Sequence, residues 1–324
     1  MALTGPKAEA PTDRCGTVIV RSIGIPPEAW ESTGPGEFRA LTPWIRPTLR
    51  GRSGRLLIIG GGPYAGAPAL AGRAALRTGA ERATLIVPGG VAPTVQGFGP
   101  DLIVRGVGPA GWWAADQIDP VTEMIDRLRP GAVALGMGAG DHRDTREFFE
   151  GIHRWLTAHP DRHGPVLYDA DALAAVSDPP PQAPAAGPAV FATPNLGEYR
   201  RWFEGTREPT AEEVAARARA RGLYLLVKGS TDWLSDGPRT VRNEHHSSAM
   251  TVGGMGDVLD GVLGGLLAQG IEPWVAGRLA LYWVGEAGER VHRVRGWGLM
   301  ASDVIEAIPL AAVEALAGKG PAQA

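Results

Sequence analysis

Apolar and polar positions divide this chain into short buried runs and longer amphipathic ones. Residues 55–59 read Arg-Leu-Leu-Ile-Ile with glycines on both sides, the form of a strand covered on two faces. Similar runs predict strands at 83–87, 132–135, 166–168 and 223–227, with weaker candidates at 17–20 and 101–104; 190–192 leads into Thr193-Pro194, and 240–242 precedes a glycine-rich turn. Segments of helical period lie between them. Residues 68–78 start at Pro68 and stop before Gly79, positions that suit the two ends of a helix. Helices are also predicted over 121–128, 145–156, 210–221, 276–292 and 301–308, the last ended by Pro309. Strand, glycine turn, helix and strand in succession make a parallel βαβ unit. The fold expected is an α/β sandwich with a mostly parallel sheet, whose ligands gather at the carboxyl ends of the strands.

The flanks read differently. Residues 1–16, rich in Ala, Pro and Thr, are expected to be disordered. Residues 23–47 carry Pro26, Pro27, Pro35, Pro43 and Pro47 and read as an extended linker. Residues 178–188, rich in Pro and Ala, read as a surface loop. The domain division expected is a tail and linker over 1–48 and one main domain over 49–324.

One stretch organises the rest. Met250-Thr251-Val252-Gly253-Gly254-Met255-Gly256-Asp257 is a glycine-rich turn running into a helix expected to reach about residue 269. Val258, Leu259, Val262, Leu263, Leu266 and Leu267 give that helix an apolar stripe. Its first N–H groups lack partners and carry the positive end of its dipole, a ready anion site. Asp257 at that mouth has two readings. It is an N-terminal cap, or a base that takes a proton from a hydroxyl while the N–H groups stabilise a phosphoryl group in transfer.

Composition narrows the class. The chain has 324 residues, with 44% hydrophobic and 21% charged content, ordinary for a globular protein. A net charge of −3 argues against nucleic acid as a partner. No apolar run approaches the roughly 20 residues of a membrane span. Cys15 is alone, which excludes an internal disulfide and suits a reducing cytosol, so a cytoplasmic location is expected. Lys7, Lys228 and Lys319 are the only lysines in an arginine-rich chain. Lys228, at the predicted end of a strand, suits a phosphate; the bland alternative is a solvated lysine.

Other polar candidates also fall at strand ends. Asp169 and Asp171 suit a metal or helix capping. Glu198, three residues after Asn195, suits Mg²⁺ through water or the first turn of a helix. His245 and His246 lack further ligand spacing and read as exposed loop residues.

From about Arg50 onward the chain resembles the ADP/ATP-dependent NAD(P)H-hydrate dehydratases, a branch of the ribokinase-like superfamily. The matching pieces come in family order: 60–68 (GGGPYAGAP), 169–173 (DADAL), Thr193-Pro194 with Gly197-Glu198, Lys228-Gly229, Gly253-Gly254 with Gly256-Asp257, and 301–303 (ASD). The GGGPY turn, Gln96-Gly97-Phe98 and Met250-Thr251-Val252 look like the archaeal members. Residues 17–30 look like the tail of the epimerase domain often fused in front. The resemblance implies a ribokinase-like α/β/α sandwich and nucleotide-dependent dehydration of hydrated NAD(P)H, a metabolite repair. The ring hydroxyl is phosphorylated by ADP or ATP with Mg²⁺, and phosphate is then lost. Asp257 matches the base. Gly253, Gly254 and Gly256 match the anion hole, and Lys228, Gly229, Ser230, Thr231 and Asp232 the nucleotide site. Ala67, Gly138 and Asn195, with Asp257, fall where the family meets the hydrated dinucleotide. A homo-oligomer is expected, with a separate NAD(P)H-hydrate epimerase as a candidate partner.

Four departures stand out. This chain has Gly136-Met137-Gly138-Ala139-Gly140 where the family has Gly-Pro-Gly-Leu-Gly, and Asn195 where it has His. It has 243–247 (NEHHS) where the family has Asn and Thr-Gly-Asn, and Met255 where it has Thr. All four are expected in ligand-facing loops outside the core. They keep two alternatives open: a small-molecule kinase of the superfamily, favoured by Asn195-x-x-Glu198, or a degenerate nucleotide-binding homologue.

Overall fold

The computed structural model describes residues 31–41, 54–176, 187–204 and 207–317. The predicted strand at 17–20, the epimerase-like stretch 17–30 and most of the 178–188 loop lie outside the described residues.

Among the described residues, nine strands form one sheet: β1 (Arg55–Ile59), β2 (Arg82–Pro88), β3 (Ile103–Val107), β4 (Ala132–Leu135), β5 (Val166–Tyr168), β6 (Val190–Ala192), β7 (Tyr224–Val227), β8 (Asp232–Ser235) and β9 (Thr240–Asn243). Their order is β3-β2-β1-β4-β5-β6-β7-β8-β9. All pairings through β7 are parallel, and β8 and β9 add an antiparallel edge. The two-residue alternation of a strand sorts the side chains into two cores. Leu56, Ile58, Leu85, Ala134, Leu167, Phe191, Leu226 and Leu234 fall in one; Leu57, Ile59, Ile86, Leu135, Tyr168, Leu225 and Val227 fall in the other.

The first core is shared with α1 (Gly66–Arg77), α2 (Ala92–Gln96), α7 (Met255–Ala268), α8 (Pro273–Arg295) and α9 (Ala301–Leu316). The second is covered by α3 (Ile118–Leu128), α4 (Arg143–Ala158), α5 (Leu196–Phe203) and α6 (Ala211–Arg221). The result is the expected three-layer α/β/α sandwich. Helix α7 lies tight on α1. A Cβ on Gly261 would sit 2.2 Å from the Ala71 carbonyl oxygen, and one on Gly265 2.5 Å from Thr78 Oγ1. Glycine here brings two backbones closer than any side chain would allow.

Three expectations change. Strand β8 was not predicted, because Asp-Trp-Leu-Ser lacks the continuous apolar run of the central strands. Helix α9 continues through Pro309 to Leu316 instead of stopping. Its buried face, Ile308, Ala311 and Ala312, outweighs the bond that a proline removes. Within the stretch read as an extended linker, Pro35–Leu41 forms a 3₁₀ helix. Phe38 is buried there, edge-on to Tyr282 and Trp283 of α8 with ring centres 5.9 and 5.6 Å away.

Candidate active site

Chain order reverses at β1, which has β2 on one side and β4 on the other. Crevices of this kind hold ligands in open α/β sheets. The turns leaving β1 and β4 meet there, backbone against backbone. Gly61 N donates to the Met137 carbonyl at 2.8 Å, and Gly136 N to the Ile59 carbonyl at 3.0 Å. Gly138 has φ +71°, and a Cβ on it would lie 2.3 Å from the Tyr64 carbonyl oxygen and 2.8 Å from Ala67 Cβ. Ala67 and Gly138, expected to share a ligand, are therefore neighbours. Asp171 secures the second turn by accepting a hydrogen bond from Gly140 N at 2.6 Å.

One turn beyond Ala67, Leu70 approaches the entrance of α7. Its Cδ1 lies 2.6 Å from where a Gly254 Cβ would stand. Gly254 is the N-cap, at φ +91°, a left-handed conformation that glycine takes at little cost. The first intrahelical bond runs from Val258 N to the Gly254 carbonyl. The N–H groups of 255–257 are therefore the unpartnered ones at the helix start. Gly253 is exposed, with nothing within 4 Å of a built Cβ.

Beneath this mouth the ends of β5, β6 and β7 deliver a charged cluster. Lys228 Nζ donates to Asp169 Oδ1 at 2.6 Å, and Asp260 Oδ2 stands 3.7 Å from the same ammonium. Thr193 Oγ1 donates to Asp169 Oδ1 at 3.1 Å. A Cβ on Gly256 would lie 3.1 Å from Lys228 Nζ, so glycine there gives the ammonium room beside the first turn of α7. Lys228 is neither a solvated lysine nor a free one; its side chain is mostly enclosed, 14% exposed, and paired.

The electrostatics follow from burial and these contacts. Burial alone would raise the Asp169 carboxyl, but the Lys228 charge and the hydrogen bonds to Asp169 hold it below its usual range. Burial would also lower Lys228, yet Asp169 and Asp260 keep it firmly protonated. Asp260 is fully buried, and burial and the Asp169 charge push its carboxyl well upward. Neither Asp260 oxygen has a hydrogen-bond partner of good geometry. Asp257, at the helix mouth, is raised to about 7 by burial and then by Asp169, with Lys228 opposing. The site thus sets a carboxyl held low, Asp169, and an ammonium beside a carboxyl pushed well upward, Asp260, and one, Asp257, poised to exchange a proton near neutrality.

The remaining candidates take other positions. Asn195 is the N-cap of α5; its Oδ1 accepts from Glu198 N at 3.0 Å, and Glu198 Oε2 accepts from Asn195 N at 2.8 Å. This reciprocal capping box explains the Asn-x-x-Glu spacing on local grounds. Glu198 still shares the field of the cluster, its carboxyl raised by burial and by Asp169. Asp232 closes the turn between β7 and β8, its Oδ1 accepting from Gly229 N at 3.0 Å. Ser230 stands exposed and Thr231 half-buried on that turn, facing Glu208 and Glu244 at 3.4 Å. His245 and His246 are not exposed loop residues. His245 stacks on Tyr282 at 4.6 Å and meets Glu286 at 2.9 Å; His246 approaches Asp232 at 3.8 Å.

The four departures do not all face ligand. Met137 is fully buried in the first core, and Met255 packs against it. Asp260 and Thr193 join the cluster although the sequence reading gave them no role. Asp260 had a signal, as the one carboxylate set into the apolar stripe of α7.

Comparison with known proteins agrees with this arrangement. The NAD(P)H-hydrate dehydratase family matches residues 56–310. The bifunctional NAD(P)H-hydrate repair enzyme of Methanothermobacter thermautotrophicus is 35% identical over 308 residues, covering 91% of this chain and 56% of that protein. The ADP-dependent (S)-NAD(P)H-hydrate dehydratase of Cenarchaeum symbiosum is 32% identical over 277 residues, covering 82% of this chain and 90% of that one. The chain thus spans about half the length of its bifunctional relatives. Among solved structures, the ADP/ATP-dependent NAD(P)H-hydrate dehydratase of Bacillus subtilis, co-crystallised with ATP and Mg²⁺, has a TM-score of 0.69. It is 20% identical and the match covers 86% of this chain and 97% of that one, a likeness of fold. From sequence, fold and cluster together, the chain belongs to the NAD(P)H-hydrate dehydratase family.

Proposed function

We propose that this chain dehydrates hydrated NAD(P)H at the expense of ADP or ATP, with Asp257 as the base. The observation that carries the proposal is the Asp257 carboxyl, raised to about 7 at the open start of α7. A base of that strength works best near neutral pH. The substrate hydroxyl gives its proton to Asp257 as its oxygen bonds to the terminal phosphoryl group of the nucleotide, and the bond from that group to the departing AMP or ADP breaks. The N–H groups of 255–257 and the helix dipole stabilise charge on that phosphoryl group. Loss of phosphate from the ring then returns NAD(P)H.

Ala67 and Gly138, at the β1–β4 crevice, are assigned to the dinucleotide, with Asn195 at the rim. Gly253, Gly254 and Gly256 are assigned to the phosphates. Lys228 holds positive charge under them while its ammonium is fixed by Asp169. Gly229, Ser230 and Thr231 face the rest of the nucleotide, and Asp232 shapes their turn. Mg²⁺ suits this site as a companion of the nucleotide. Such ions are held mainly by phosphates, waters and one or two carboxylates, and Glu198 would reach it through water. A homo-oligomer and a separate epimerase remain part of the proposal.

The test is absorbance at 340 nm with hydrated NADH, Mg²⁺ and either nucleotide, with phosphate release followed in parallel. A nucleotide-dependent rise matched by phosphate supports the proposal. Phosphorylation of the dinucleotide without a rise would instead identify a kinase.

A further inference from the structure

Residues 31–41 lie outside the part of the chain matched to the family, which begins at residue 56. They nevertheless reach the turn that follows Lys228. Ser32 pairs with Arg242 beside β9, and Thr33 N donates to the Arg242 carbonyl at 2.9 Å. From there a hydrogen-bond chain runs inward. Thr33 Oγ1 donates to Asn243 Oδ1 at 2.6 Å, and Asn243 Nδ2 donates to Asp232 Oδ2 at 3.0 Å. The other Asp232 oxygen accepts from Gly229 N at 3.0 Å. Asn243 is buried at 1% exposure, so its amide depends on these partners. The ionised Asp232 carboxylate only accepts, so the amide nitrogen turns toward it and the amide oxygen is left to take the Thr33 hydroxyl proton.

We infer that Thr33 is a positioning residue for the 228–232 turn, acting through Asn243 and Asp232. The segment that carries it is docked independently by Phe38 in its aromatic pocket and by Glu37, which pairs with Arg278 Nε at 3.0 Å. Segment docking and hydrogen-bond chain can therefore be separated by mutation. The expected effect on ADP affinity rests on the function proposed above; the effect on the turn itself does not.

The experiment compares Thr33→Val, Thr33→Ser and Glu37→Gln in the full chain. It measures amide hydrogen exchange of the peptide holding residues 228–232, ADP affinity by calorimetry, and thermal midpoint. Thr33→Val should speed exchange in that peptide and weaken ADP binding by roughly three- to tenfold, the factor for losing one ordinary hydrogen bond. Thr33→Ser, which keeps the hydroxyl, should restore both. Glu37→Gln should lower the midpoint and leave both unchanged. Unchanged exchange in Thr33→Val overturns the inference, as does faster exchange with unaltered ADP affinity in a protein that binds ADP. A wild type that binds no nucleotide, combined with faster exchange in Thr33→Val, refutes the proposed function and leaves the positioning role standing.

Discussion

Asp257→Asn should make the folded protein more stable than wild type at pH 8, while abolishing its chemistry. The Asp257 carboxyl rises from an ordinary 3.8 to about 7 on folding. The folded state therefore binds the proton more tightly than the unfolded chain does. Stability from this group is fully present below about pH 4, falls as pH rises toward 7, and stays low above that. At about 1.4 kcal/mol per tenfold change, the full shift is worth roughly 4 kcal/mol. Asp257 is only partly enclosed, so solvent screening reduces this to about 2 kcal/mol. Asparagine keeps the shape and carries no charge, which removes the cost. The gain over wild type should grow between about pH 4 and 7 and then level off. For a chain of this size, about 2 kcal/mol moves the thermal midpoint by about 3 °C. Differential scanning calorimetry at several pH values reads this directly. A midpoint difference that does not vary with pH, or a less stable variant at pH 8, would refute the reasoning.

The same geometry yields further expectations. The rate with saturating nucleotide should rise through about pH 7 as Asp257 loses its proton, since a base acts in its ionised form; a flat pH profile would count against it. Lys228→Met strands Asp169 without its 2.6 Å partner and should destabilise by about 3–5 kcal/mol, measured by denaturant unfolding. Two glycine substitutions should part company. Gly138→Ala drives a Cβ onto the Tyr64 carbonyl at positive φ and should lower the unfolding midpoint. Gly253→Ala meets nothing within the protein and should leave that midpoint unchanged while weakening nucleotide binding.

Much of the fold could be read from the sequence because a central parallel strand announces itself. β1, β4 and β5 are apolar runs, and their bounds agree with the expectation. Burial on both faces leaves such a strand little other choice. The antiparallel edge is harder to see. Asp232 and Ser235 in β8 carry out local hydrogen bonding, so the strand has no apolar signature. Pro309 and the 31–41 segment were misread for a related reason. In both, packing against distant side chains overrides a local preference, and no local signal reports Trp283 or Tyr282.

The site shows the same division. The glycine turn, Asp257 and Lys228 stood out by residue type and position. The partners of Lys228 did not, since Asp169 is 59 residues away in sequence. Asp260 was hidden by its own context, a carboxylate on an apolar helix that makes sense only once Lys228 is beside it. Met137 was misplaced because a position between two exposed-looking glycines gives no hint that the turn folds inward.

The central claim is that Asp257 is the base. Its most direct test is kcat/KM for conversion of hydrated NADH at pH 7, wild type against Asp257→Asn, with ADP affinity measured on both. The ratio should fall at least about a hundredfold, the usual minimum for losing a positioned base, with ADP binding retained. Activity within tenfold of wild type, with binding intact, would contradict it and return the proton to another group.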